Sequence, residues 1–161
     1  MSSIMNDRSK ECINDIFRFY DEKDFINLAN AYDEFLTLKG LKYTAFNTIF
    51  SQVQKNNTIE IPTRVLKAWE YDGEPVILVL NEDIIAFYTM YKGATIDDVQ
   101  LPDDIGTIID MCDLPEDRKI VLTDACMKAL GLQEGDIILM EYSEESLHIE
   151  KFTKENISEY L

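Results

Sequence analysis

An internal repeat constrains this chain more than any other feature. Ile61-Pro62 falls on Leu122-Thr123 sixty-one residues later, and at that offset Val65, Lys67, Ala68 and Trp69 fall on Cys126, Lys128, Ala129 and Leu130. One inserted residue then brings Gly73 onto Gly135. Both copies present the same succession of local signals: a short strand, a helix, a turn and a hairpin. In the first, Thr58-Ile59-Glu60-Ile61 alternates with the period of a strand, and Pro62 ends it. Thr63 is placed to cap the helix RVLKAWEY, Asp72-Gly73 marks a turn, and PVILVL and IIAFYTM make a hairpin around Asn81-Glu82-Asp83. In the second, the strand is KIVL, and Thr123 and Asp124 cap ACMKAL. Gly131 takes the left-handed position that ends the helix, and Leu132 packs back. Glu134-Gly135-Asp136 then turns the chain into IILMEY and LHIEKF, joined around Ser143-Glu144-Glu145-Ser146.

A unit of about thirty-five residues buries too little apolar surface to stand alone. The two copies must therefore pair, within one chain or between chains. Their strands are expected to complete one closed or nearly closed barrel, which also hides the strand edges.

The N-terminal segment has a different period. Cys12, Ile13, Ile16, Phe17 and Phe19 or Tyr20 form one helical stripe. Phe25, Leu28, Ala29, Tyr32, Phe35 and Leu36 form a second, with Asp24 as its cap and Gly40 as its stop. A third helix is expected in LKYTAFNTIFSQVQKNN, with Tyr43, Phe46, Phe50 and Val53 on one side. No acid lies between Phe35 and Ile59, where Lys39, Lys42 and Lys55 stand among Asn47, Gln52, Gln54, Asn56 and Asn57. This stretch is either a solvated helix face or a helix that touches phosphate. The chain thus divides into a helical domain at 1–57, a first repeat at 58–90, an acidic connector at 91–117, a second repeat at 118–152 and a tail at 153–161. Ile105–Met111 in the connector reads as a short helix or a strand, and the tail as a last helical turn.

Charge is uneven. Residues 1–57 hold seven basic and eight acidic side chains, a net of −1; residues 58–161 hold eight and twenty-three, a net of −15. Such a field repels a phosphate backbone at long range and argues against non-specific nucleic-acid binding, while leaving room for a local basic patch. No apolar run is long enough to span a bilayer. The N-terminus lacks the basic-then-apolar pattern of a signal peptide, so a cytoplasmic location is expected. Cys12, Cys112 and Cys126 make no CxxC pair and read as small buried apolar residues. The single histidine, His148, alternates with Leu147 and Ile149 and is expected outward and exposed on the last strand. No Gly-rich phosphate loop, nucleophile elbow or HExxH is present, and the acids of DVQLPDD and DLPEDR lack calcium-loop spacing. A non-enzyme without metal or cofactor is the expectation.

The C-terminal copy, RKIVLTDACMKALGLQEGDIILMEYSEESLHIEKF, resembles the AbrB/SpoVT and MraZ class of swapped-hairpin β-barrels. The likeness rests on Lys119, Leu130-Gly131-Leu132 and Glu134-Gly135-Asp136. The first copy resembles it through IPTRVLKAW and Asp72-Gly73-Glu74. The resemblance covers residues 58–152. It implies two tandem β-α-β-hairpin units that form a small swapped-hairpin barrel; with the helical N-terminal segment, which the resemblance does not cover, the expected fold is α+β. It further implies a homo-oligomer, with a dimer favoured, acting as a DNA-binding transcriptional regulator or antitoxin.

In that family basic residues of the first strand and short helix meet DNA. Here Lys119 matches the first-strand arginine in charge, and its counterpart in the first copy is the neutral Thr58. The helical arginine falls at Met127 and Leu66, so Arg64, Lys67, Arg118 and Lys128 are the neighbouring candidates for phosphate contacts. The alternative is an acidic oligomerisation or interaction module that binds a basic protein partner and not DNA.

Overall fold

A computed structural model describes residues 2–42, 46–100 and 104–158, with side chains from residue 7 onward. Two helices open the chain, α1 (Ser2–Glu22) and α2 (Phe25–Leu38). The Asp24 side chain caps α2 by accepting the Asn27 N–H at 3.3 Å. At the other end Gly40, at φ +71°, lets the Leu41 N–H return to the Leu36 carbonyl at 2.8 Å. Arg8 of α1 ties to Glu34 of α2.

The expected third helix is a strand, β1 (Asn47–Gln52), followed by a 3-10 turn at Lys55–Asn57. Tyr43 lies outside the described residues. Thr48, Ile49 and Phe50 are all buried. Ile49 belongs to one apolar core and Phe50 to another. Both faces of β1 are covered, so its pattern loses the alternation that marks a strand.

The first repeat comprises β2 (Thr58–Glu60), α3 (Thr63–Trp69), β3 (Val76–Asn81) and β4 (Ile84–Thr89). The connector contributes β5 (Thr107–Cys112), settling the helix-or-strand ambiguity around Ile105–Met111. The second repeat comprises β6 (Lys119–Val121), α4 (Asp124–Leu130), β7 (Ile137–Tyr142) and β8 (Ser146–Lys151). A helical turn, α5 (Glu155–Ser158), follows. Thr123 caps α4 as expected, accepting the Cys126 N–H at 3.2 Å. In α3 the cap falls on Pro62, whose ring carries no acceptor for a backbone N–H, and Thr63 is the first helical residue.

All pairings are antiparallel. Six strands form a sheet in the order β1-β7-β8-β4-β3-β5, and β2 pairs with β6 in a separate two-stranded ladder. The sheet is open, with β1 and β5 at its edges, so the closed barrel expected from the repeat is not formed. One core lies between the sheet and the ladder with its helices, and includes Ile59, Val65, Trp69, Phe87, Ile120 and Ile149. The second lies beneath α1 and α2. There Phe50 and Phe152 meet edge to face at 4.8 Å, with Tyr32 at 5.5 Å and 5.4 Å from them.

The two repeats are related by an internal two-fold relation within one chain. Ile59 and Ile120, equivalent at offset sixty-one, face each other in the ladder. After the one-residue insertion the offset is sixty-two, and it turns the β4–β8 pair Ile85–Ile149 into Leu147–Phe87, itself a pair. The backbone follows suit. Ile61 N–H bonds the Arg118 carbonyl at 2.8 Å, and its equivalent, Leu122 N–H, bonds the Asn57 carbonyl at 2.9 Å. Both accepting residues are left-handed, Asn57 at φ +56° and Arg118 at φ +59°.

Candidate nucleic-acid interface

The β2–β6 ladder has an inner face, where Ile59 and Ile120 are buried, and an outer face of four side chains. Across the ladder Thr58 stands opposite Val121 and Glu60 opposite Lys119. Short strands result because each is pinched by a turn. On one side the left-handed Asn56 and Asn57 reverse the chain, with Gln54 N–H donating to the Thr58 carbonyl at 2.7 Å. On the other, Arg118 N–H closes on the Pro115 carbonyl at 2.9 Å, and Lys119 N–H donates to Asp117 at 3.1 Å.

The structure places the five candidate cations unevenly. Lys119 is exposed on the outer face of the ladder. Lys67 on α3 and Lys128 on α4 are equivalent under the internal two-fold, and both are exposed. Arg118 is not a free surface cation. It is half-buried, and its Nε donates to the Ile61 carbonyl at 3.1 Å, so its guanidinium fastens the end of β2. Arg64 is exposed on the first turn of α3 and borders a cleft of about 540 Å³ with Phe25, Ile26, Asp33, Asn47 and Tyr142. It therefore borders α2 and β1, one helical turn before Lys67 on α3.

Ion pairing engages six of the cations among the described residues, and Lys10, Lys23 and Lys39 of the helical segment are not among them. Arg8, Arg18, Lys42, Lys92, Lys151 and Lys154 each pair with an acid. Among the described residues from 46 to 128, Lys92 alone does so, which leaves Lys55, Arg64, Lys67, Arg118, Lys119 and Lys128 without an acidic partner. Even Lys119 and Glu60, which share a rung, make no ion pair. Several acids nearby are already committed to backbone groups: Glu134 accepts the Asn56 N–H at 2.6 Å and Asp117 the Lys119 N–H. Lys55, expected on a helix, lies in the 3-10 turn leading into the ladder.

A second polar locus lies on the opposite face of the sheet. His148 does point away from the inner core, but it is half-buried rather than exposed. Phe46 covers it at 5.6 Å between ring centroids, and Tyr88 flanks it at 6.3 Å. Glu141, its cross-strand partner, and Glu150 share with it a small cavity of about 200 Å³ with Ile84 and Leu139. Burial pushes the His148 imidazole down and the Glu141 carboxyl up. Burial, with the charges of Glu141 and Asp83, raises the Glu150 carboxyl to about 7.

The chain matches no family model and no curated protein. No helix among the described residues is long and apolar enough to cross a membrane.

Proposed function

We propose that this chain is an AbrB-type swapped-hairpin unit duplicated within one polypeptide, and that it acts as a DNA-binding regulator or antitoxin-like protein. In this reading the β2–β6 ladder and the β4–β8 seam take the place of the contacts between two subunits, so one chain presents both halves of the binding surface. The contact surface is the outer face of the ladder with the exposed sides of α3 and α4. Lys67, Lys119 and Lys128 serve as its phosphate contacts, and Arg118 as a positioning residue.

One observation carries the proposal. In a chain with thirty-one acids and fifteen cations, Lys55, Lys67, Lys119 and Lys128 around the ladder and its helices make no ion pair among the described residues, as is also true of Lys10, Lys23 and Lys39 in the helical segment. A cation held in no ion pair can meet a phosphate without first breaking one, and the counterions it displaces from the nucleic acid make binding salt-dependent. The surrounding negative field suppresses binding at random sites, which favours a short specific sequence over general coating.

Selection of bound fragments from sheared genomic DNA, followed by a salt titration on the best fragment, tests this. A specific fragment whose affinity falls with salt is expected. Lys119→Glu and Lys128→Glu are each expected to weaken binding and flatten the salt dependence by roughly one phosphate contact. No enrichment at ~50 mM salt would refute DNA binding by the protein alone. The net charge of −15 across residues 58–161 would then point to a basic protein partner.

A further inference from the structure

The internal two-fold pairs positions, yet on the outer face of the ladder the paired positions hold unlike side chains. Thr58 is equivalent to Lys119, and Glu60 to Val121. The buried equivalents, Ile59 and Ile120, are identical. Beyond the ladder Lys67 and Lys128 agree, while Arg64 is matched by Ala125. The helical phosphate contacts are thus matched between the halves, and the ribbon between them is not.

We propose that the duplex recognised by this protein is asymmetric, with Glu60 and Val121 reading chemically different base edges in its two halves. The inference rests on the DNA-binding reading above. A two-stranded ribbon fits the major groove, where each base pair displays its own pattern. A carboxylate there accepts a hydrogen bond from an exocyclic amino group, and cytosine N4 is its usual partner. An aliphatic side chain packs on the thymine methyl. Val121 is 66% exposed, among the most exposed large apolar residues of the chain, and shares its face with Lys119. Thr58 opposite it adds no charge, so an apolar contact there stays undisturbed. Glu60, opposite Lys119, makes no ion pair and keeps its acceptor oxygens available. Two identical halves would read a palindrome; these halves cannot present the same atoms to both sides.

The test is selection of the full chain on randomised duplexes, followed by replacement of each thymine in the winning site by uracil, which removes only the methyl group. A non-palindromic motif is expected. One uracil substitution in one half should weaken the wild type about three- to fivefold, the effect of a single buried methyl group, and leave Val121→Ala unaffected. Glu60→Gln should relax preference at one position in the other half and nowhere else. Val121 is exposed and Glu60 half-buried on the outer face of the ladder, and far-ultraviolet circular dichroism of both variants checks that they fold. A palindromic motif, or a uracil scan in which Val121→Ala behaves as wild type, overturns the inference while leaving DNA binding intact. Failure to enrich any duplex overturns the DNA-binding reading and this inference with it.

Discussion

The helix ends of the two repeats make a matched pair of opposite quality. α4 ends on Gly131 at φ +69°, with Gly131 N–H bonded to the Lys128 carbonyl at 3.1 Å and Leu132 N–H to the Met127 carbonyl at 2.8 Å. α3 ends on the equivalent residue, Glu70, in the same left-handed region at φ +52°, ψ +44°. Its closing bonds are the same: Glu70 N–H to Lys67 and Tyr71 N–H to Leu66, at 3.1 Å and 3.0 Å. A side chain with a Cβ in this region costs about 1–2 kcal/mol. Glycine gives back about 0.4–1 kcal/mol through the greater freedom of the unfolded chain. Glu70→Gly should therefore stabilise the protein by about 0.5–1 kcal/mol, and Gly131→Ala should destabilise it by a similar amount. The cost at Gly131 is purely conformational, because an added Cβ meets nothing within 4 Å. Urea unfolding of the full chain reads both variants as midpoint shifts of opposite sign with an unchanged slope. Each kcal/mol corresponds to roughly 2–4 °C in thermal midpoint for a chain of this size. A destabilised Glu70→Gly, or a neutral Gly131→Ala, would refute the equivalence of the two helix ends.

Two further predictions concern the sheet's other face. Glu150 titrates at about 7 in the folded protein against 4.5 as the ordinary value, so the folded state holds this proton more tightly. Stability should therefore fall as pH rises from about 4.5 to about 7 and level off above; partial exposure of the carboxyl limits the loss to about 1–2 kcal/mol. His148, held below its ordinary value, contributes the opposite slope below about 6.5, and the raised Glu141 adds to the fall, so wild type and Glu150→Gln must be compared across the same pH series, where the variant should show a smaller fall. Phe152→Ala should cost about 3–5 kcal/mol in urea unfolding, because the ring joins β8 to Phe50, Tyr32 and Tyr20 and with them the helical layer.

What the sequence revealed follows from how each element is buried. The repeat was legible because its strands, helices and turns carry punctuation at matching positions: Pro62 and Thr123, Gly73 and Gly135. β1 was not, since a strand covered on both faces spaces Phe46, Phe50 and Val53 much as a helix does. Alternation placed His148 on the correct side of β8 and still misjudged its exposure, because a side-chain period gives the face and not what covers it. Phe46, from a segment misread as helix, supplies that cover. Arg118 looked like free charge. Its equivalent is Asn57, a residue type that tolerates the left-handed region, and that match was the available sign that residue 118 sits in a strained turn with a structural duty.

Fusing two halves into one chain changes what each position is free to become. In a dimer of identical subunits any change on the ladder appears twice, and a charge placed at one end is placed at both. Within one chain each equivalent residue varies alone, subject only to the core the halves share. The buried equivalents accordingly exchange one apolar side chain for another: Val65 for Cys126, Trp69 for Leu130, Leu78 for Met140, Phe87 for Ile149. Packing tolerates such swaps while the total volume is kept. The outer ladder obeys no such rule, and there Thr58 and Lys119, or Glu60 and Val121, differ in charge and polarity. At the exposed Lys119 and Val121 the choice of side chain changes stability by about 0.5 kcal/mol or less, whereas Thr58 and Glu60 are half-buried. Divergence of this kind is not restricted to the ladder, since Ala86 is matched by His148 and Tyr88 by Glu150 on the far face of the sheet; on the ladder it sets a neutral and an acidic side chain against a basic and an apolar one, the asymmetry on which the proposed recognition of an asymmetric duplex rests.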